Sequence, residues 1–278
     1  MVALEKLGTT PPSPRSASSL GLFSRYDGNI IGGTVLGAGM ALSAACPGVT
    51  FPQAALGLRS AQYALQGALA GGVFYTGIIA PLIAQRRKSL SLDCAGSTLH
   101  ASAGVSRGTA LFTMEAIYAA VIASAILYAP QSPFHPLVAP ALGGFLLGST
   151  QFLSLSLRGS LIGVSSTFED AGKYAAWLAG GLRSKAPRSY TSLLFAATMA
   201  AGAYALGLAY PSVIPVEDPR VTPFNAILGG FLFAVGSRVA GGCTSGHGIS
   251  GISLLSVSSF VTIACTFAGG AAAALWAY

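Results

Sequence analysis

Six stretches of this sequence are long and apolar enough to cross a bilayer: Ala61 to Ala84, Thr109 to Ala129, Leu137 to Leu157, Thr191 to Tyr210, Phe224 to Ala240 and Ser258 to Tyr278. A crossing helix needs about 20 mostly apolar residues, with a range near 17 to 25. In lipid every backbone N–H and C=O must be satisfied internally, so such stretches have to be helices. The expected fold is an all-α polytopic membrane protein. Charged residues make up only 8% of the chain, against about 25% in an average soluble protein. Many of the 36 glycines fall inside the apolar runs, where each would cost a soluble helix about 1 kcal/mol relative to Ala. In a membrane they let helix backbones approach closely.

The net charge of +7 does not point to nucleic acid, because the basic residues form short clusters between the spans. Arg86, Arg87 and Lys88 follow one span, and Arg183, Lys185 and Arg188 precede another. The positive-inside rule puts both groups in the cytoplasm, together with the N-terminus, and the acidic Glu217-Asp218 segment on the far side. Residues 1–26 contain no apolar core long enough for a secretory signal; their prolines and serines read as a flexible tail, and a transit peptide is the alternative. The rest, residues 27–278, reads as one membrane domain of two halves, about 27–130 and 137–278. The location expected is a plasma or bacterial inner membrane.

Two of the apolar runs are broken. Ile30 to Ala45 stops at Cys46-Pro47-Gly48, and Phe224 to Ala240 stops at Gly241-Gly242-Cys243; a short apolar piece follows each. Paired Gly/Pro-interrupted segments in corresponding places of two halves mark the binding site of many transporters. A third unit opened by Gly-Gly, at Gly143, turns at Arg158-Gly159 without a cysteine. Such repetition implies duplicated architecture.

The cluster Arg238, Gly242, Cys243, Thr244, Ser245 and His247 would be costly facing lipid, so it must face protein or water. A half-helix starting after a break aims free N–H groups and a positive dipole end at the gap. With Arg238 and the hydroxyls of Thr244 and Ser245, that describes a site for a small anion. Cys46, beside Pro47, and Cys243 add soft, polarizable thiols suited to a sulfur-bearing anion. Cys265, in mid-span, and Cys94, in a loop, read as incidental. His247 has no His, Asp or Glu close by in sequence and reads as a hydrogen-bonding spacer. Glu115, Glu169 and Asp170 are acids in or beside spans and call for partners. No metal site or cofactor is expected, since the cysteines form no CxxC and no Cys/His cluster. No GxxxxGK[ST] phosphate loop occurs, so ATP coupling would need another protein.

The string from Arg238 to Gly251, RVAGGCTSGHGISG, resembles the signature of the YeeE/YedE sulfur-transport membrane proteins. Residues 143–278 are similar to one small paired member of that family, and residues 30–84 to its partner, so the chain looks like a fusion of the two. The resemblance implies an hourglass-shaped helical protein with pseudo-symmetric halves and short re-entrant helices. It also implies uptake of thiosulfate past cysteine thiols, here Cys46 and Cys243, with no catalytic residues, and delivery to a cytoplasmic sulfur-carrier protein. Full-length members carry a third pathway cysteine near an early Gly-Arg motif. This chain has Arg158, Gly159 and Ser160 at the related turn, where Ser165 and Ser166 offer hydroxyls instead. Two other readings stay open: a membrane thiol enzyme carrying a persulfide, and an hourglass channel for small solutes.

Overall fold

The computed structural model describes residues 12–92, 94–128, 140–159, 161, 163–180, 186–187, 189–214 and 221–277. Those residues form helices α1 (Asp27–Ser43), α2 (Thr50–Ala55), α3 (Arg59–Phe74), α4 (Ala80–Ser89), α5 (Leu99–Ala103), α6 (Arg107–Tyr128), α7 (Pro140–Arg158), α8 (Ser166–Ala179), α9 (Thr191–Ala209), α10 (Pro223–Val239) and α11 (Val257–Ala277). A π-helical turn, Tyr75–Ile79, joins α3 to α4 without a break, and a second, Ser245–Gly251, precedes α11. Four helical stretches among the described residues are long and apolar enough to cross a membrane: Arg59–Ser89, Arg107–Tyr128, Thr191–Ala209 and Val257–Trp276. Leu142–Leu157 and Pro223–Val239 are shorter apolar helices, the second as long as the Phe224 to Ala240 stretch expected there.

The shortness of α10 matters. Both α1 and α10 have 17 residues, or about 25 Å of helix, against a hydrocarbon core of about 30 Å. Each helix is near the lower limit of a crossing and stops at its cysteine-bearing break. The left-handed Ala44 (φ 50°) closes α1, and Gly241 (φ 82°) follows α10. Both conformations are ones that cannot continue a helix.

The core is a row of closely packed helices in which α1 lies between α10 and α11, and α10 lies between α1 and α3. Adjacent glycines point about 100° apart on a helix, so each Gly-Gly pair meets two neighbours. A Cβ on Gly32 would clash with the Ala240 backbone, and one on Gly33 with that of Thr262; Gly229 abuts Gly39 and Ser43, and Gly230 abuts Ala64. At Gly230 that Cβ would sit 1.9 Å from the Ala64 carbonyl oxygen. The third unit behaves differently: Gly143 and Gly144 have no such atom within 4 Å, and α6 and α7 expose most of their apolar side chains. Leu36, Ala64, Ala68, Phe168, Phe233 and Ala234 form the buried centre.

Residues 14–20, which the sequence reading placed in a flexible tail, are packed against the domain. Ala17, Ser18 and Ser19 are buried. Ser18 Oγ donates to the Val239 carbonyl at 2.5 Å, and Asn29 Oδ1 accepts from the Ser18 N–H at 2.8 Å. Arg87 donates through Nε to the Ser19 carbonyl (2.8 Å) and through Nη2 to Ser18 Oγ (2.9 Å). Small residues let this segment lie flat across the helix ends, and the arginines satisfy its carbonyls. That is why a composition typical of a linker is ordered here.

Candidate functional site

The two breaks meet. After Gly241 the chain turns back: Thr244 and Gly248 line one cavity with Gly37, Met40 and Ala41 of α1, more than a turn beyond Gly32, where α1 meets Ala240. The segment Cys243–Gly248 is thus re-entrant. On the other side, a Cβ placed on Gly48 would lie 3.7 Å from Cys46 Sγ and 3.9 Å from Ser245 Oγ. Ser245 Oγ in turn is 3.1 Å from Cys243 Sγ. A single hydroxyl therefore stands between the surroundings of the two thiols.

Cys243 is fully buried, whereas Cys46 is half-buried. Besides Ser245, the backbone N–H groups of Gly246, Val164 and Ser165 point at the Cys243 sulfur. Val164 and Ser165 immediately precede α8, so that helix aims its N-terminal end at the thiol. Converging N–H groups of this kind form an anion-receptive concavity. Pro47 is buried behind the first break, where the Cys46 carbonyl accepts from the Val49 and Thr50 N–H groups and from Thr50 Oγ1. Gly242 packs against the His247 ring.

Two predicted site residues are occupied with structural work. His247 is buried with both ring nitrogens engaged: Nδ1 lies 2.9 Å from Ser259 Oγ, and Nε2 lies 3.2 Å from the Ala240 carbonyl. Because a carbonyl only accepts, Nε2 carries the proton and Nδ1 accepts from the serine. His247 thereby clamps the end of α10 to α11, as a spacer should. Arg238 is paired with Glu169, which also takes Lys173 Nζ at 2.7 Å, and its guanidinium lies 5.9 Å from the Tyr75 ring centre. It thus supplies Glu169 with the partner the sequence did not name. Asp170 accepts from Ser189 and Ser192. Glu115 lies away from both thiols, on the wall of a cavity of about 720 Å³ between α6 and residues 248–255.

Arg158 ends α7, and its side chain lies outside the described residues. Cys265 sits beside Gly33, and the Cys94 carbonyl accepts the Ala17 N–H at 3.1 Å. Sequence reasoning missed Arg15, and at the 163–165 turn it looked to the Ser165 hydroxyl where the Val164 and Ser165 N–H groups face the sulfur. Arg15 Nη1 reaches the Gly241 carbonyl at 3.4 Å, and its guanidinium lies against Gly242 and Gly246. The glycine spacing of residues 242–251 was the available signal, for it leaves an opening that no neighbour in sequence fills.

Four apolar helices long enough to cross a bilayer mark an integral membrane protein, and the comparisons with known proteins place it among transporters. A family model described as sulphur transport matches residues 1–272, and the chain belongs to that family, the YeeE/YedE proteins. It is 31% identical over 135 residues to a probable transporter of Xylella fastidiosa (strain 9a5c), covering 49% of this chain and 90% of that protein. It is also 23% identical over 274 residues to the thiosulfate transporter TsuA of Spirochaeta thermophila, covering 94% of this chain and 78% of that one.

Proposed function

We propose that this protein carries thiosulfate, or a closely related small sulfur anion, across the membrane past Cys46, Ser245 and Cys243. The observation that carries the reading is the meeting of the two breaks, with four donors converging on the Cys243 sulfur. Fixed backbone N–H groups suit the anion's oxygens, and the S–H groups suit its terminal sulfur, each thiol donating one weak hydrogen bond without covalent change. Weak successive contacts let an anion enter and leave. The likeness to the Spirochaeta thermophila thiosulfate transporter supports that substrate. Where the family resemblance implies a third thiol, the Val164 and Ser165 N–H groups serve here. The cluster of Arg86, Arg87 and Lys88 orients α4, and with it the N-terminal segment, toward the cytoplasm of a plasma or bacterial inner membrane. A cytoplasmic sulfur-carrier protein is the proposed recipient.

Labelled thiosulfate uptake into proteoliposomes tests this, with sulfate and sulfite as competitors. Cys243→Ala should lower uptake at least about tenfold, the scale set by losing a hydrogen bond to a charged group, and Cys46→Ala should lower it less. Normal transport by both variants, or equal competition by sulfate, would overturn the proposal.

A further inference from the structure

The N-terminal segment brings a cation to the inner break. Arg15 Nη2 lies 3.0 Å from the Cβ position of Gly246, Nη1 lies 3.1 Å from that of Gly242, and the side-chain Cδ lies 3.1 Å from that of Gly251. Gly163, beside the α8 turn, is 3.7 Å from Nη2 by the same measure. Four glycines thus form a socket shaped to one guanidinium. The Arg15 carbonyl is fixed by Ser256 Oγ (3.1 Å) and Ser258 Oγ (3.0 Å), so the side chain enters the socket from a held backbone.

Among the described residues, Arg15 has no carboxylate partner. Its Nε is buried without an acceptor, and the charged or ionisable groups facing it are Cys243 and Arg238. His247, across the socket, has both ring nitrogens engaged. Glu169 is already held by Arg238 and Lys173, and Asp27 by the Leu20 and Leu22 N–H groups. A mostly buried guanidinium without an anion is costly, and its planar fork of donors matches a tetrahedral oxyanion. Cys243, whose sulfur the Gly246 N–H faces, is close enough to Arg15 to interact with its charge.

We infer that Arg15 is the charged receptor of the inner break, binding the sulfonate oxygens of the transported dianion while Cys243 faces its terminal sulfur. This rests on the thiosulfate reading and names the residue that gives the site its charge. It also explains the glycines at 242 and 246, where a side chain would displace the guanidinium.

The test is uptake of labelled thiosulfate at graded concentrations by the full chain in proteoliposomes, with thermal unfolding of each variant in detergent. Arg15→Gln should raise KM at least about tenfold while the unliganded melting temperature stays near wild type, and Arg15→Lys should recover part of the loss. Gly246→Ala, whose Cβ would lie 3.0 Å from Nη2 and push the guanidinium aside by a few tenths of an ångström, should raise KM by less, with little further effect when combined with Arg15→Gln. A folded Arg15→Gln protein with wild-type KM would overturn the inference while leaving the thiosulfate path standing. The same holds if Arg15→Gln lowers only the melting temperature, or if Arg15→Gln cannot be folded and Gly246→Ala keeps a wild-type KM. Absence of saturable thiosulfate uptake by the wild type would remove both.

Discussion

Substituting Glu169→Gln separates the structural role of Arg238 from a role in the anion path. The change keeps the side-chain volume and removes the charge that holds both Arg238 and Lys173. Removing one partner of a buried pair costs about 3–5 kcal/mol, and of an exposed pair about 0–1 kcal/mol. Both Glu169 and Arg238 are 19% exposed, which places the loss nearer the buried limit, at roughly 2–3 kcal/mol. For a chain of this size that lowers the melting temperature by about 4–12 °C. Arg238→Met should be destabilised as well, and the double variant should lose less than the two singles together, because it leaves neither charge stranded. Thermal unfolding in detergent followed by size-exclusion chromatography measures each value, and thiosulfate uptake measures the path. If Glu169→Gln melts with the wild type, or if Arg238→Met melts normally but loses thiosulfate affinity, then Arg238 serves the anion and the reasoning fails.

Two further outcomes follow from the packing. Gly230→Ala forces a Cβ toward the Ala64 carbonyl and should destabilise by about 1–3 kcal/mol, whereas Gly143→Ala, which meets open space, should melt like the wild type. Equal melting of the two would refute the helix packing described. In maleimide labelling the half-buried Cys46 should react well before the buried Cys243, and thiosulfate should slow the Cys46 reaction; a faster Cys243 would reverse the depth assigned to the two thiols.

Much of the architecture was legible because lipid leaves so few solutions. Span length, Gly-Gly pairs and the residues that stop α1 and α10 are all local signals, and they located both thiol-bearing breaks. The ion pair of Glu169 with Arg238 was not legible, since it joins residues on different helices and leaves no periodic trace. The role expected of Arg238 shifted for the same reason: a basic residue beside a break looks like an anion ligand until its acid is placed. The third Gly-Gly unit shares its pattern with the others but not their packing, because a glycine pair reports that close approach is possible, not that a neighbour arrives. The N-terminal segment misled most. Pro, Ser and Ala carry no apolar period, and its order comes from arginines and helix ends far along the chain.

That distance has a consequence for how the molecule is made. Ser18 reaches Val239 and Arg15 reaches Ser258, 221 and 243 residues later. At about 5–20 residues per second of synthesis, this segment waits roughly 10–50 s for its anchors. A piece made well before its partners is therefore seated only after them. Until α11 and the residues before it are made, the Arg15 carbonyl lacks the Ser256 and Ser258 hydroxyls that hold it, so the guanidinium reaches its glycines only when these two hydroxyls are in place.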